Sequence, residues 1–135
     1  MAAFTDYLED KLLRLTLRGE AFTPPAQLYV GLFVTPTGDL DGVGQELAGN
    51  GYQRIRITFG EPQADVSGAT FCANDTDIRS PQPSTADWGV VSHFAVFDAA
   101  AGGNRLYHGP FDEPRLYETN DLFFAVAGDL KIMLS

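Results

Sequence analysis

A compact antiparallel β-sandwich, all-β and jelly-roll-like, with one appended N-terminal α-helix is the fold this sequence predicts. Three observations predict it: an apolar stripe of helical period confined to the N-terminal segment, short alternating or continuous apolar runs after it, and Gly-, Pro- and Asp-rich turns between those runs. A chain of 135 residues, 44% hydrophobic and 12% aromatic, can bury one core without metal or disulfide staples. A single domain over 1–135 is therefore expected, the helix at 5–18 and the sandwich at 28–135.

The helix is written in "TDYLEDKLLRLTLRG". Thr5 suits an N-cap, and Asp6, Glu9 and Asp10 lie near the positive end of the dipole. Lys11, Arg14 and Arg18 lie towards the negative end, and Gly19 is the stop. Phe4, Leu8, Leu12 and Leu15 form one apolar stripe, which Leu13 and Leu17 widen. The stripe is read first as packing on the body of the domain, and second as a partner-binding face.

Pro24 and Pro25 forbid helix before "LYVGLFVT". There Leu28, Val30, Leu32 and Val34 share one strand face and Tyr29, Gly31 and Phe33 the other, so a core strand covered on both sides is expected. A long surface loop follows from Pro36 to Gly51. In "YQRIRITF", Ile55, Ile57 and Phe59 alternate inward against Arg54, Arg56 and Thr58, which leaves one face to water or a partner. "ATFCA" is a shorter strand. "WGVVSHFAVFD", "AAAGGN" and "RLYHG" form a strand, a turn and a second strand, that is, a hairpin. "DLFFAVA" and "LKIMLS" complete the set.

Chemistry-bearing residues are few. "DLDGVG" has the look of a calcium loop, but counting from Asp39 places Val43 fifth and Asn50 twelfth, where oxygen ligands are required. Cys72, the only cysteine, excludes an intrachain disulfide and a cysteine-based zinc site. Strict strand alternation puts Ser92 and His93 on opposite faces, where they cannot act as nucleophile and base. A metal site of His93, His108 and Asp98 depends on a register the sequence does not fix, and Asp87 and Asp98 sit where Asp closes turns. No cofactor, metal or catalytic residue is expected, and no enzymatic activity. The small-hydrolase alternative would need His93 or His108 to converge with Asp87, Asp98 or Asp112.

Eighteen acidic residues against nine basic ones give a net charge of -9, the wrong sign for a nucleic-acid partner. There is no apolar run of membrane-spanning length, so no membrane partner is expected. "MAAFTDYLEDK" is too acidic for a signal peptide, which makes synthesis and folding in a cytoplasm the expectation.

"YLEDKLLRLTLRGEAFTPPAQLYVGLFVTPT", "GYQRIRITFG", "STADWGVVSHFAVFDAAAGGNRLYHG" and "NDLFFAVAGDLKIMLS" together resemble a family of small bacteriophage virion proteins commonly labelled phage tail fibre proteins. The likeness runs through almost the whole chain in the same order. It implies a structural subunit of the virion, made in the host bacterial cytoplasm. A tail fibre or tail-associated subunit is the leading expectation, capsid decoration (cement) on the head the alternative, and a glycan-binding module for host recognition a third reading. The implied partners are further copies of the chain, a trimer being the expected number, other tail or capsid proteins, and a host-surface glycan. Arg54, Arg56, Leu8 and Leu12 are the expected subunit-interface residues, and Trp88, Tyr107 and Tyr117 the expected glycan-stacking rings.

Overall fold

The computed structural model describes residues 2–134. Met1 and Ser135, the ends of the expected domain and of its last expected strand, lie outside the described residues. The helix α1 spans Asp6–Arg18. Thr5 caps it by accepting the Leu8 N–H at 3.4 Å, and Gly19 ends it in the left-handed region at φ 67°, donating its N–H to the Arg14 carbonyl. Only Leu8 of the helix is buried. The helix is tethered by its first turn: Thr5 Oγ1 donates to the Arg105 carbonyl at 2.6 Å, and Asp6 N–H to that of Asp39 at 3.1 Å.

The strands are β1 (Ala3–Phe4), β2 (Leu28–Phe33), β3 (Ile55–Ile57), β4 (Gln63–Ala64), β5 (Thr70–Ala73), β6 (Ile78–Arg79), β7 (Gly89–Phe97), β8 (Arg105–Tyr117), β9 (Phe124–Ala125) and β10 (Lys131–Leu134). All pairings are antiparallel. They build a five-stranded sheet in the order β1-β8-β7-β2-β3, a three-stranded sheet β10-β5-β4 and a two-stranded sheet β6-β9. The core lies between the large sheet and the two small ones. Val30, Leu32, Ile55, Ile57, Val91, Phe94 and Val96 project from the former onto Ile78, Phe123, Leu130 and Ile132. A bridge between Phe59 and Asn74 joins the sheets at one side. This is the all-β, sandwich-like fold with an appended helix that the sequence predicts.

β2 is buried on both faces as its continuous apolar run requires. Val30 and Leu32 enter the main core, while Phe33 joins Ala95 and Phe97 in a second cluster on the outer face. Gly31 lies between them because a Cβ there would meet the Phe97 ring at 2.8 Å and the Glu46 carboxylate at 2.9 Å.

Several strands differ from expectation: β1, β4 and β6 are short strands that the sequence pattern does not announce, and the expected strand from Asp121 to Ala127 is confined to β9. β3 is confined to Ile55–Ile57, and β8 runs far beyond "RLYHG" to Tyr117. In the β7–β8 register His93 faces Pro110 and Val91 faces Arg115, so residues 111–114 stand against Ser92 alone. Pro110 and Pro114 have no N–H for a ladder, which favours a wide bulge at this point. The bulge turns Phe111 inward, its ring 5.2 Å from Phe94 and 5.6 Å from Phe123.

Candidate functional site

The outer face of the large sheet is roofed by two arginines. Arg54 Nε and Nη2 each donate to the Glu46 carboxylate at 2.9 Å, and its Nη1 donates to the carbonyls of Ala99 at 3.0 Å and Gly102 at 2.7 Å. Its guanidinium lies 3.4 Å from the Phe97 ring centre. Tyr52 Oη donates to the same carboxylate at 2.5 Å and accepts the Leu32 N–H. Burial, with Glu46 reinforcing it, raises the Tyr52 pKa far above the usual tyrosine range and keeps this phenol a donor.

Arg105 sits deeper. Its Nη1 donates to the carbonyls of Gly38, Leu40 and Val43, and the guanidinium lies 4.9 Å from the Phe33 ring centre. The "DLDGVG" loop therefore wraps its carbonyls around an arginine of its own chain, and the calcium-like spelling is explained by a guanidinium in the middle of the loop. Burial lowers the Arg105 pKa, and the charges of Asp41 and Glu46 oppose that shift. His108 fastens the same loop to β8, its Nδ1 3.0 Å from Thr37 Oγ1 and its Nε2 2.7 Å from Asp39 Oδ1.

The expected separation of Ser92 and His93 does not hold. Ser92 Oγ lies 2.8 Å from His93 Nδ1, because the bulge leaves Ser92 without a register partner and breaks the two-residue alternation on which the separation rests. No carboxylate hydrogen-bonds His93 among the described residues, so the ring lacks the orienting third group of a nucleophile–base system. Asp98 closes the hairpin turn by accepting from Asn104 N–H at 2.7 Å and Asn104 Nδ2 at 2.9 Å, while Asp87 accepts from Thr119 N–H and Oγ1. Both act as turn closers, and no group of three metal-ligating side chains converges among the described residues.

The expected stacking rings are placed differently. Trp88 and Tyr117 are buried, 5.7 Å apart, and Trp88 Nε1 donates to the Asn50 carbonyl. Neither offers a free face to a sugar. Tyr52, 36 residues before Trp88, packs on its ring, and Tyr117 is covered by Trp88 itself and by Phe123 just beyond the end of its strand, which the local alternation could not reveal. Tyr107 is half-buried and tilted against Phe4.

Of the expected interface residues, Leu8 is covered by the domain itself, Leu12 is half-buried, and Arg54 is taken up by Glu46. Arg56 alone stands exposed with no ion-pair or hydrogen-bond partner among the described residues. The packing of the leucine stripe stops after Leu12. Leu13 is 58% exposed, Leu15 41% and Leu17 77%, although the apolar stripe predicts a face packed on the body of the domain. Asp6, Asp10, Leu13 and Leu17 follow one another at four-, three- and four-residue spacing, so they line one side of the helix that the domain leaves open.

No curated protein matches the chain. The family described as podophage GP4 fiber I protein gp80 matches residues 3–133, end to end across the helix and every sheet strand but the last residue of β10. A β-rich body, a helix with an uncovered leucine face and polar side chains used mainly to tie loops to the sheet are the features of a chain that works through its surface. With the family match they give the conclusion that the chain belongs to the Gp80 podophage fibre family and is a tail-associated structural protein of the phage virion.

Proposed function

We propose that the chain is a non-catalytic fibre subunit that self-associates through the open face of its N-terminal helix. The observation that carries this is the uncovered Leu13 and Leu17 pair on a helix held to its domain by one buried leucine. The occupant is a second copy of the chain. Charge along the helix runs from Asp6, Glu9 and Asp10 to Lys11, Arg14 and Arg18, so two helices laid antiparallel bring opposite charges together over the leucines. This polarity favours pairs, whereas the expected trimer about an axis would need parallel helices with like charges adjacent. The fibre description of the family supports a place on the tail over one on the capsid surface.

The test is the mass in solution of the wild type and of a Leu13→Ser, Leu17→Ser double variant. The variant is expected to keep its melting temperature within about 5 °C, since exposed positions alter stability by roughly 0.5 kcal/mol or less each, and to lose self-association. A wild type that is monomeric at every concentration, or a variant that associates as well as wild type, would refute the helix-mediated reading. Labelling of intact particles with an antibody against this chain is expected to mark the tail, and a uniform label over the head would refute the placement.

A further inference from the structure

An open depression of about 640 Å³ lies at the margin of the five-stranded sheet, lined by Tyr29, Gln53, Arg54, Arg56, Pro81 and the 100–102 turn. Its walls are fixed from behind. Arg54 holds the turn by the carbonyls of Ala99 and Gly102 while bound to Glu46 and stacked on Phe97. Its single lining carboxylate, Glu46, is neutralised by Arg54 and receives the Tyr52 hydroxyl. The remaining charge in the lining is Arg56, so among the described residues two arginines face one glutamate and leave one cation in excess, in a chain whose net charge is -9.

Arg56 is paired across the strands with Tyr29, and Ile55 and Ile57 on either side of it turn into the core, so guanidinium and phenol stand side by side on the outer face. The Tyr29 hydroxyl lies 2.6 Å from Gln27 Oε1, which holds the ring in place.

We propose that this depression binds an acidic sugar residue, one bearing a carboxylate or a phosphate. Arg56 offers a planar fork of N–H donors to the anionic group, the Tyr29 ring an apolar face to the pyranose, and the Gln53 amide and the peptide groups of the 100–102 turn partners for hydroxyls. A sugar is favoured over the acidic surface of a protein partner, which the net negative charge of the rest of the chain would repel, whereas one small anion meets only the local excess. This site is separate from the helix face and stands whether or not that face mediates assembly.

The experiment is a titration of the ¹⁵N-labelled full chain, followed by NMR, with trigalacturonate, mannose 6-phosphate, neutral maltotriose and a Glu-rich peptide. Shifts confined to residues 29, 53–56 and 100–102 are expected with at least one of the two acidic sugars, and the stronger of these identifies carboxylate or phosphate as the recognised group. Affinity for maltotriose is expected to be at least about tenfold weaker. Arg56→Gln is expected to abolish the response with the melting temperature unchanged. Tyr29→Leu, which keeps the cation and removes the aromatic face, is expected to weaken it, and serves as the readout should Arg56→Gln fail to fold. No response to either acidic sugar at about 10 mM, a millimolar limit of detection, would overturn the proposal. So would equal binding of maltotriose, tighter binding of the peptide, or an undiminished response in both variants.

Discussion

On the inner face of the five-stranded sheet, Phe94 and Val96 enter the main core, where the Phe94 ring meets that of Phe111 from the neighbouring strand and Phe111 in turn meets Phe123. On the outer face, the rings of Phe33 and Phe97 lie beneath guanidinium groups, which Glu46 and loop carbonyls hold in place through Arg54 Nε, Nη1 and Nη2 and through Arg105 Nη1. The inner cover is non-directional and depends on volume. The outer cover depends on hydrogen-bond geometry supplied by the 36–46 loop and the 99–102 turn, so it is the face whose integrity follows the state of its loops.

The largest effect expected on this contrast is Phe94→Ala, which opens a cavity in the inner cover and costs roughly 3–5 kcal/mol, while Phe94→Leu costs less than about 1.5 kcal/mol. Chemical denaturation measures both, and a loss below about 1 kcal/mol for the alanine variant would remove the claim that volume governs this face. Glu46→Gln tests the outer face, since it deprives a largely buried guanidinium of its counter-charge at nearly constant volume. A cost of about 1–3 kcal/mol is expected, and a neutral result would mean that the arginine roof contributes coverage alone.

Within that roof the turn glycines sharpen the comparison further. Gly103, at φ 71°, has no room for a side chain: a Cβ would collide with Asp98 and with Ala99, whereas Gly102, at φ 61°, has open space. Gly103→Val is therefore expected to cost about 1–3 kcal/mol and to release the Arg54 contacts, and Gly102→Ala only about 1 kcal/mol of backbone strain. Equal melting temperatures for the two variants would show that the turn does not position the roof.

The smallest effect concerns His93, whose pKa burial lowers, aided by the neighbouring His108. The folded state disfavours the protonated ring, so this contribution to stability is intact above the ordinary histidine value near 6.5 and is lost as pH falls through it. His93→Gln is expected to lose slightly less stability than wild type between pH 7.5 and 5, read as the difference in melting temperature. A variant that loses more would reverse the sign of the argument.

How much of this was legible depended on range in sequence. The Thr5 cap, the Gly19 stop, the double burial of β2 and the hairpin are set by residues within a turn or a strand of one another, and local chemistry states them. The bulge at 111–114 is a relation between two strands. Nothing within "SHFAVF" announces that Ser92 loses its partner, and its contact with His93 could not be read there. The same holds for Trp88, Tyr117 and Arg54, whose burial is produced by segments tens of residues away. Composition shows that arginines in an acidic chain will find carboxylates. Only the fold shows that, among the described residues, Arg54 has found one and Arg56 has not.

Beyond His108, the outward edge of β8 runs without a neighbouring strand among the described residues, since β1 pairs only with Tyr107 and His108. An open edge of that length is where sheet proteins join one another in uncontrolled stacks. Here Pro110 and Pro114 remove donors from it, the bulge bends it, and Asp112, Glu113 and Arg115 charge it. For the self-associating subunit proposed above, staying dispersed until the matching surface is met matters as much as the association itself. The proline-bearing edge closes the cheapest route to indiscriminate polymerisation, which leaves recognition to side-chain surfaces that have to match.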